Sequence, residues 1–329
     1  MNFAEKILDR KTSVFDVEFV TPAFALGADG EHAELREQTL NGLLRFWWRA
    51  FFGSDNLDEM QEKESQIFGS TSNKSDLKIF ISDKNFQSQI ANIPKGASIS
   101  VTSKGRSFSI SIIEYLAYGL YEYKKGSGNV FTKGHIKDSG KFTLNLEYSK
   151  QYEKEILTSL FLLKLFGGIG SRSRNGFGSI DIKNLSSSQT TDKFDEKLKS
   201  FTSFSGKTKL FKFEPENSWT NALSKIGTAY REARTSLEKR HFFDRRALAA
   251  KPIIVKGEIN IPERHSKSYF LKVKKTKDNK FQGQILYLPY NYYIQKDKEN
   301  YLKVYDDMNK IIKTKCLKEQ SIKEALNDN

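Results

Sequence analysis

The sequence is short of the residues that build disulfide frameworks and metal sites. Cysteine occurs once, at Cys316, which excludes a disulfide within the chain and a cysteine-based zinc site. The four histidines are far apart, and none is spaced from another as a pair of metal ligands; they are His32, His135, His241 and His265. We therefore expect a cytoplasmic protein of a reducing compartment, with no bound metal and no cofactor.

Long apolar runs are also lacking. The N-terminus reads Met1-Asn2-Phe3-Ala4-Glu5-Lys6 and has no apolar signal segment. The longest apolar stretch, 159–168, is interrupted by Lys164 and is too short to span a bilayer. These features predict a soluble protein without a membrane partner.

Acidic residues are scarce in the second half of the chain. Residues 191–329 carry 30 Lys and Arg against 18 Asp and Glu, a net charge of +12, whereas the whole 329-residue chain carries +14. Within that half, residues 231–280 alone hold 15 basic and 6 acidic side chains. Such a concentrated basic field indicates a polyanionic partner, which could be RNA, DNA or an acidic membrane surface. The lysines at 272–280 fit a solvated surface equally well, but the arginines at 231–246 favour a partner.

The length and the order of predicted elements favour two domains. In the first half the pattern predicts strands at 15–20, 78–82, 97–103, 142–148 and 179–183 and helices at 40–52 and 152–166, the first helix capped by Thr39. Segment 109–123 is ambiguous in type. The resulting strand–helix–strand–strand–helix–strand order is that of a ferredoxin-like domain, the scaffold also used by RNA-recognition modules.

The second half repeats this order loosely, without a sequence repeat. Strands are predicted at 210–213, 253–256, 269–274 and 284–288 and helices at 219–237 and 298–315. A polar, low-complexity stretch separates the two halves. The prediction is an α+β protein of two tandem ferredoxin-like domains, 1–185 and 195–329, joined by a linker at 186–194.

One segment is unusually rich in glycine. Residues 167–178 contain five glycines and two arginines, and they follow an apolar helix and precede a strand. Glycine permits positive φ and close approach of the backbone to a partner, and successive N–H groups in such a loop can bind an anion. Arg172 and Arg174 could add bidentate phosphate contacts. The loop lacks the endings of a P-loop or a dinucleotide-binding turn, which favours a long polyanion over a mononucleotide.

The helix at 40–52 separates into two faces on a 3.6-residue period. Leu40, Leu43, Leu44, Trp47, Ala50 and Phe51 form the core face, and Asn41, Arg45, Trp48, Arg49 and Phe52 form the other. Aromatic and guanidinium groups side by side are typical of surfaces that stack on unpaired bases and grip phosphates. Alternatively, the aromatics pack on the other domain and the arginines pair with Glu34 or Glu37.

Four ordered motifs resemble a known family. They are Thr21-Pro22-Ala23-Phe24, Glu34-Leu35-Arg36, the helix from Gly42 to Ala50, and the loop at 167–179. Together they resemble the RAMP superfamily, and within it the first RAMP subunits of the Cmr complex, the type III-B CRISPR effector. The resemblance is dense over 21–53 and 167–180, and thinner at 245–252 and 284–289. The chain departs from the family pattern at Asn41 and Asn175, where a basic residue is common.

The resemblance implies a role without catalysis. It implies two RAMP domains at the end of a ribonucleoprotein for antiviral defence, near the 3′ region of the guide RNA (crRNA) and the matching 5′ end of the target RNA, beside other RAMP subunits. The residues expected to contact RNA are Arg36, Arg45, Trp48, Arg49, Gly168, Gly170, Arg172, Ser173, Arg174, Arg240, Arg245 and Arg246.

Two alternatives remain open. The loop after the first strand holds Asp29 and His32, either of which could serve a RAMP-type endoribonuclease, by metal-assisted attack or by general acid–base chemistry. Neither has an evident catalytic partner in the sequence, so we expect no ribonuclease activity. The other alternative is a scaffold that does not touch RNA, against which the charge asymmetry and the glycine-rich loop both argue.

Overall fold

Fourteen strands, eight α-helices and one 3-10 helix (Lys150–Tyr152) are assigned in the computed structural model, which describes residues 9–103, 105–185, 194–239, 242, 244–250, 265, 267–291 and 298–328. The strands of the first half are β1 (Arg10–Phe19), β2 (Lys78–Asn85), β3 (Ser88–Gln89), β4 (Ser98–Ser103), β5 (Arg106–Ser111), β6 (Tyr121–Lys124), β7 (Gly128–Phe131), β8 (His135–Ile136), β9 (Lys141–Ser149) and β10 (Ile180–Ile182). Its helices are α1 (Glu37–Phe52), α2 (Leu57–Phe68), α3 (Ile112–Leu116) and α4 (Glu153–Phe166).

The second half is assembled from fewer elements. Its strands are β11 (Lys209–Lys212), β12 (Tyr269–Lys275), β13 (Phe281–Tyr287) and β14 (Lys318–Ser321), and its helices are α5 (Trp219–Thr235), α6 (Asp244–Ala249), α7 (Lys298–Lys315) and α8 (Ile322–Asn327). The strand predicted at 253–256 and most of the predicted linker lie outside the described residues. Within the described ranges, no helix has the length and apolarity needed to cross a bilayer.

Both halves contain the same four-stranded antiparallel sheet. In the first, the strand order is β10-β1-β9-β2, so Val17 of β1 lies opposite Ile182 on one side and Phe142 on the other. In the second, the order β12-β13-β11-β14 gives the same connectivity when it is read from the other edge. The α+β fold of two tandem ferredoxin-like units is therefore confirmed. An insertion between β2 and β9 adds the hairpins β4–β5 and β6–β7.

The predicted core positions agree with the observed burial. Alternate residues of β9 from Phe142 to Tyr148 are buried in one hydrophobic cluster with α1 and α4. Helix α1 buries Leu40, Leu44 and Trp47, as its periodicity predicts. It begins three residues earlier than predicted, because Glu37 occupies the first turn and Arg36, rather than Thr39, takes the extended N-cap conformation. An acidic first turn is favourable beside the positive end of the helix dipole.

The two halves interlock at the end of α4. This helix ends at Phe166 with Gly167 as its C-cap, and carbonyl groups at this end accept hydrogen bonds from the second half. Lys272 Nζ donates to the Gly167 oxygen at 2.8 Å and to the Ile180 oxygen at 2.9 Å, and Gln284 Nε2 donates to the Leu165 oxygen. Carbonyl groups at a helix C-terminus lack intrahelical partners, so these side chains cap α4 from the other half of the molecule.

Candidate nucleic-acid interface

The polar face of α1 packs against α2, a charge-rich helix that the hydrophobic pattern did not predict. Glu64 of α2 is only 8% exposed and pairs with both arginines of α1. Arg45 Nε lies 3.3 Å from its carboxylate, and Arg49 Nη2 donates to it at 2.7 Å. Arg45 also donates to the carbonyl oxygens of Phe68 and Gly69 at the end of α2. The internal pairing anticipated for these arginines therefore exists, with Glu64 rather than Glu34 or Glu37 as the partner.

Trp48 is buried, contrary to the expectation that its ring stacks on a base. It is 2% exposed and packs on Phe52 and Phe68, with ring centroids 6.3 and 6.2 Å away. The prediction failed because α2 covers the face that the periodicity of α1 alone left open. Arg49 remains exposed, while Arg45 and Arg36 are half-buried, and contact of these arginines with RNA stays a prediction.

The glycine-rich loop is packed along much of its length. Its N–H groups at Ser171 and Gly178 donate to the carbonyl oxygens of Phe24 and Pro22, each at 2.8 Å, and the N–H of Ile169 donates to the Gly178 oxygen. A Cβ at Gly178 would lie 1.9 Å from the Ile169 oxygen. Most glycines here serve close packing of backbone on backbone, so the loop is not the open nest of N–H groups that its composition predicts.

Gly168 and Gly170 are likewise packed closely against backbone atoms. Gly168 is buried, and a Cβ there would lie 2.7 Å from the Phe177 oxygen. Gly170 has a φ of +97°, and a Cβ there would lie 2.7 Å from the Phe24 oxygen. Their requirement for glycine is explained by the fold, and any contact of their backbone with RNA remains a prediction, as does a contact of the half-buried Ser173.

The two loop arginines diverge. Arg172 is exposed at a φ of +60°, and its guanidinium donates to the Tyr118 oxygen. Arg174 turns inward, where its guanidinium lies 4.4 Å from the centroid of Phe270 and 5.4 Å from that of Phe46. Burial lowers the pKa of Arg174 from its usual value. Cationic groups stack favourably on aromatic faces, so Arg174 joins the loop to α1 and β12 at once.

A cavity of about 220 Å³ opens beside Arg174. Phe46, Phe270 and Leu43 form its apolar walls, and Ser173 and Gly168 contribute the edge of the loop. A flat ring can enter between aromatic side chains while a guanidinium binds the attached phosphate, so this arrangement suits an unpaired nucleotide. The sequence could not reveal it, because Phe46 and Phe270 are more than two hundred residues apart.

Lys267 is a site residue that sequence reasoning missed. Its Nζ donates to the Asn175 Oδ1 at 2.6 Å and lies 4.3 Å from the Tyr230 ring centroid. Burial lowers its pKa well below the usual value, and Arg174 and Arg234 lower it further. Asn175 is a position where the resembled family commonly has a basic residue, and here Lys267 supplies a cation to that place. A lysine in a basic segment has no sequence signal that would single it out.

Two of the remaining predicted arginines, Arg245 and Arg246, lie on α6. Arg245 Nη2 forms an ion pair with Asp307 Oδ2 of α7 at 2.7 Å, and this hydrogen bond lowers the pKa of Asp307. Arg246 Nη2 donates to the Glu238 carbonyl oxygen at 2.8 Å. Both arginines therefore stabilise the second half, and their contact with RNA stays a prediction. Arg240 lies outside the described residues.

Asp29 and His32 contact each other in the loop before α1. Asp29 Oδ2 lies 2.7 Å from His32 Nδ1, and Oδ1 accepts the N–H groups of Glu31 and His32. These hydrogen bonds lower the pKa of Asp29 to about 2. The carboxylate therefore has a partner that the sequence did not reveal, although the geometry is that of a loop stabilised by its own aspartate. Among the described residues, no group of three or more His, Cys, Asp or Glu side chains could hold a metal.

Comparison with known proteins supports the sequence resemblance. The sequence profile of the RAMP superfamily matches residues 16–181. Cmr subunit Cmr1-2 of the CRISPR system of Pyrococcus furiosus is 27% identical over 186 residues, which cover 53% of this chain and 96% of that protein. Cmr1-1 of the same organism is 28% identical over 183 residues, 54% of this chain and 49% of that protein.

Solved structures extend the likeness to most of the chain. Apo Cmr1 from Pyrococcus furiosus superposes with a TM-score of 0.57 at 18% identity, over 95% of this chain and 98% of that one. A chain of the type III-B Cmr-beta complex bound to cognate target RNA gives a TM-score of 0.53 at 13% identity, over 92% and 100%. At these identities, the likeness establishes that this chain has the same fold as the two solved chains.

Proposed function

This chain belongs to the RAMP superfamily, and we propose that it is an RNA-binding subunit of a type III-B CRISPR effector complex of the Cmr kind. The similarity to the Cmr1 chains of Pyrococcus furiosus supports this assignment. The proposed place is one end of the ribonucleoprotein, beside other RAMP subunits. There the chain contacts the 3′ region of the guide RNA and the matching 5′ end of the target RNA, in the cytoplasm and in antiviral defence.

The observation that carries the proposal is the junction between the glycine-rich loop and the second half. Arg174 lies against Phe46 and Phe270 at the edge of a cavity, and Arg172 stands exposed on the same loop. Aromatic walls with adjacent guanidinium groups suit single-stranded RNA, because stacking and phosphate contacts are largely independent of base identity. The net charge of +14 would attract such a strand from a distance.

Binding of a single-stranded RNA oligonucleotide by the full chain, measured by fluorescence anisotropy at several salt concentrations, tests the proposal. We expect the logarithm of affinity to fall with the logarithm of salt concentration by about 0.7 per neutralised phosphate. An affinity that does not change with salt would contradict a phosphate-dominated interface.

A single variant locates the interface. Arg172→Asn removes the exposed cation, and asparagine tolerates the left-handed backbone that alanine does not. We expect weaker binding and a salt slope lower by about 0.7, which is one phosphate contact. Lys277→Asn removes an equivalent charge from the exposed turn between β12 and β13 and should leave the slope unchanged. Equal losses in both variants would mean that only net charge matters.

The proposed role is not catalytic. The contact between Asp29 and His32 is the observation that favours the alternative, an endoribonuclease acting from this exposed loop. Incubation of the full chain with labelled RNA, with and without Mg²⁺ or Mn²⁺, should leave the RNA intact. Cleavage that persists on repurification and is lost in Asp29→Asn and in His32→Ala would establish the ribonuclease instead.

A further inference from the structure

Three cations meet at the junction of the two halves: Arg174, Arg234 and Lys267. Arg174 Nη1 donates to the carbonyl oxygen of Lys267 at 2.9 Å. Lys267 Nζ lies over the ring of Tyr230, and Arg234 follows one turn later on the same helix, α5. Each of the three residues keeps part of its surface exposed, and the charged end of Lys267 is the most deeply buried of the three.

The polar partners of this cluster are all neutral. Lys267 Nζ donates to the amide oxygen of Asn175, and Arg234 Nη1 is 3.4 Å from the hydroxyl of Tyr115. Arg174 donates to a carbonyl oxygen and stacks on Phe270. Within the part of the chain that the structure describes, no carboxylate forms an ion pair with any of the three cations.

Three cations that lie together without a carboxylate destabilise the folded state, and a bound anion would remove this destabilisation. Like charges drawn together out of water destabilise one another, and burial without a counter-charge adds a desolvation penalty. Elsewhere in this protein, several partly buried arginines have carboxylate partners, as Arg45 has Glu64 and Arg245 has Asp307. At the junction, by contrast, three cationic side chains lie together with neutral partners.

We propose that Arg174, Arg234 and Lys267 form a binding site for one phosphate group. Two planar guanidinium groups and one compact ammonium group match the tetrahedral oxygens of phosphate, which offers more negative charge than a single carboxylate. That the phosphate belongs to RNA rests on the proposed function. The anion site itself rests on this cluster alone.

Thermal unfolding of the full chain in sodium phosphate tests the site without RNA. At constant ionic strength, adjusted with chloride, the Tm should rise steadily with the logarithm of phosphate concentration, because an anion that binds only the folded state stabilises it by mass action. The variant Lys267→Met should bind phosphate about tenfold more weakly or worse, since it loses a charge-assisted contact. Lys277→Met, which removes an exposed lysine from the same half, should respond as the wild type does.

The stability of the variant without phosphate gives an independent readout. Because Lys267 is repelled by two neighbouring cations, Lys267→Met should unfold at the wild-type temperature or above it in chloride alone. A wild-type Tm that does not respond to phosphate would overturn the proposal. If Lys267→Met fails to fold, Arg234→Gln must reproduce the weaker phosphate response, and an undiminished response would equally overturn the proposal.

RNA binding then identifies the source of the phosphate. If the cluster holds an internal phosphate of RNA, inorganic phosphate competes with the oligonucleotide, and 3′-hydroxyl and 3′-phosphate ends bind alike. If it holds a terminal phosphate, the 3′-phosphate oligonucleotide binds more tightly, and only that advantage is lost in Lys267→Met. If Lys267→Met binds both oligonucleotides as tightly as the wild type does, and the wild-type Tm does not respond to phosphate, the phosphate site is contradicted. The proposed function is then unaffected.

Discussion

At the residue scale, Arg45 and Arg49 differ in how firmly the fold holds them, although they are one helical turn apart. Arg45 donates to two carbonyl oxygens and lies beside Glu64, whereas the Arg49 side chain keeps 44% of its surface exposed and has the Glu64 carboxylate as its partner. Charge-assisted hydrogen bonds contribute most where solvent is excluded, and exposed ion pairs contribute little. We therefore infer that Arg45 stabilises the contact between α1 and α2, and that the fold holds the Arg49 side chain less firmly.

This difference predicts unequal effects on stability. Arg45→Ala should lower the free energy of unfolding by about 1.5–3 kcal/mol, since it strands the carbonyl groups at the end of α2. Arg49→Ala should lower it by about 1 kcal/mol or less. Urea denaturation of both variants measures this, and anisotropy measures RNA affinity in parallel. If both variants are as stable as the wild type but their RNA affinity is lower by orders of magnitude, both arginines contact RNA instead.

His135 predicts a measurable dependence of stability on pH. It is 1% exposed, and the Gln89 amide lies 3.1 Å from its Nε2, so the amide N–H donates to a neutral ring. Burial lowers the pKa of His135 to about 4, whereas an unfolded histidine titrates near pH 6.5. The unfolded chain therefore binds the extra proton first, and the contribution present above about pH 6.5 is lost as the pH falls towards 4.

The expected slope is at most about 1.4 kcal/mol per pH unit for one proton. Urea denaturation of wild type and His135→Gln between pH 7.5 and 4.5 isolates it from the carboxylates. The stability difference between the two proteins should shrink as the solution is acidified. A difference that stays constant across this range would show that folding leaves the pKa of His135 unchanged.

At the element scale, the glycine-rich loop requires glycine because its backbone packs closely against neighbouring backbone, as much as because some of its residues have positive φ. Gly178 and Gly30 both have positive φ, +62° and +67°, but only Gly178 faces an oxygen, that of Ile169. Gly30→Ala should cost only the conformational term, about 1–2 kcal/mol. Gly178→Ala adds a clash that neither arm of the loop can relieve, so we expect a much larger loss of Tm or failure to fold. Equal Tm losses in the two variants would contradict the packing of this loop.

Elements with strong periodicity were predictable from sequence, and those defined by tertiary contact were not. The alternation in β9 and the two-faced pattern of α1 locate both elements to within a few residues. Helix α2 was not predicted because its residues 58–64 are nearly all charged or polar, and its buried Glu64 pairs with two arginines of α1 that are distant in sequence. The composition of the loop indicated a special backbone but not its direction, because that depends on the Pro22–Phe24 segment and on Leu271.

At the scale of the whole molecule, the two ferredoxin-like units do not have separate cores. One hydrophobic cluster joins Trp47 and Leu163 of the first half to Phe270 and Leu286 of the second. The other joins Phe177 and Ile113 of the first half to residues of α5 and α7. Since each cluster draws on both halves, neither half can bury its apolar surface alone.

We therefore predict one cooperative unfolding transition. Trp48 packs on Phe52 and Phe68 of the first half and Trp219 lies in the second, so the fluorescence of variants that retain only one of these two tryptophans can follow each half separately. Urea transitions followed by these probes and by circular dichroism should coincide. Two separated transitions would instead support the independent domains 1–185 and 195–329 that the sequence predicts.

The central claim, that RNA lies at the junction between the glycine-rich loop and the second half, is tested most directly by mapping where RNA touches the chain in the assembled complex. Guide and target RNAs carrying photoreactive 4-thiouridine would be cross-linked to the full chain, and the attached peptides identified by mass spectrometry. The account predicts cross-links at Tyr118, at loop residues 171–174 and at Phe46. Cross-links confined to the open face of the first sheet, where Val14 and Phe80 are exposed, would contradict it.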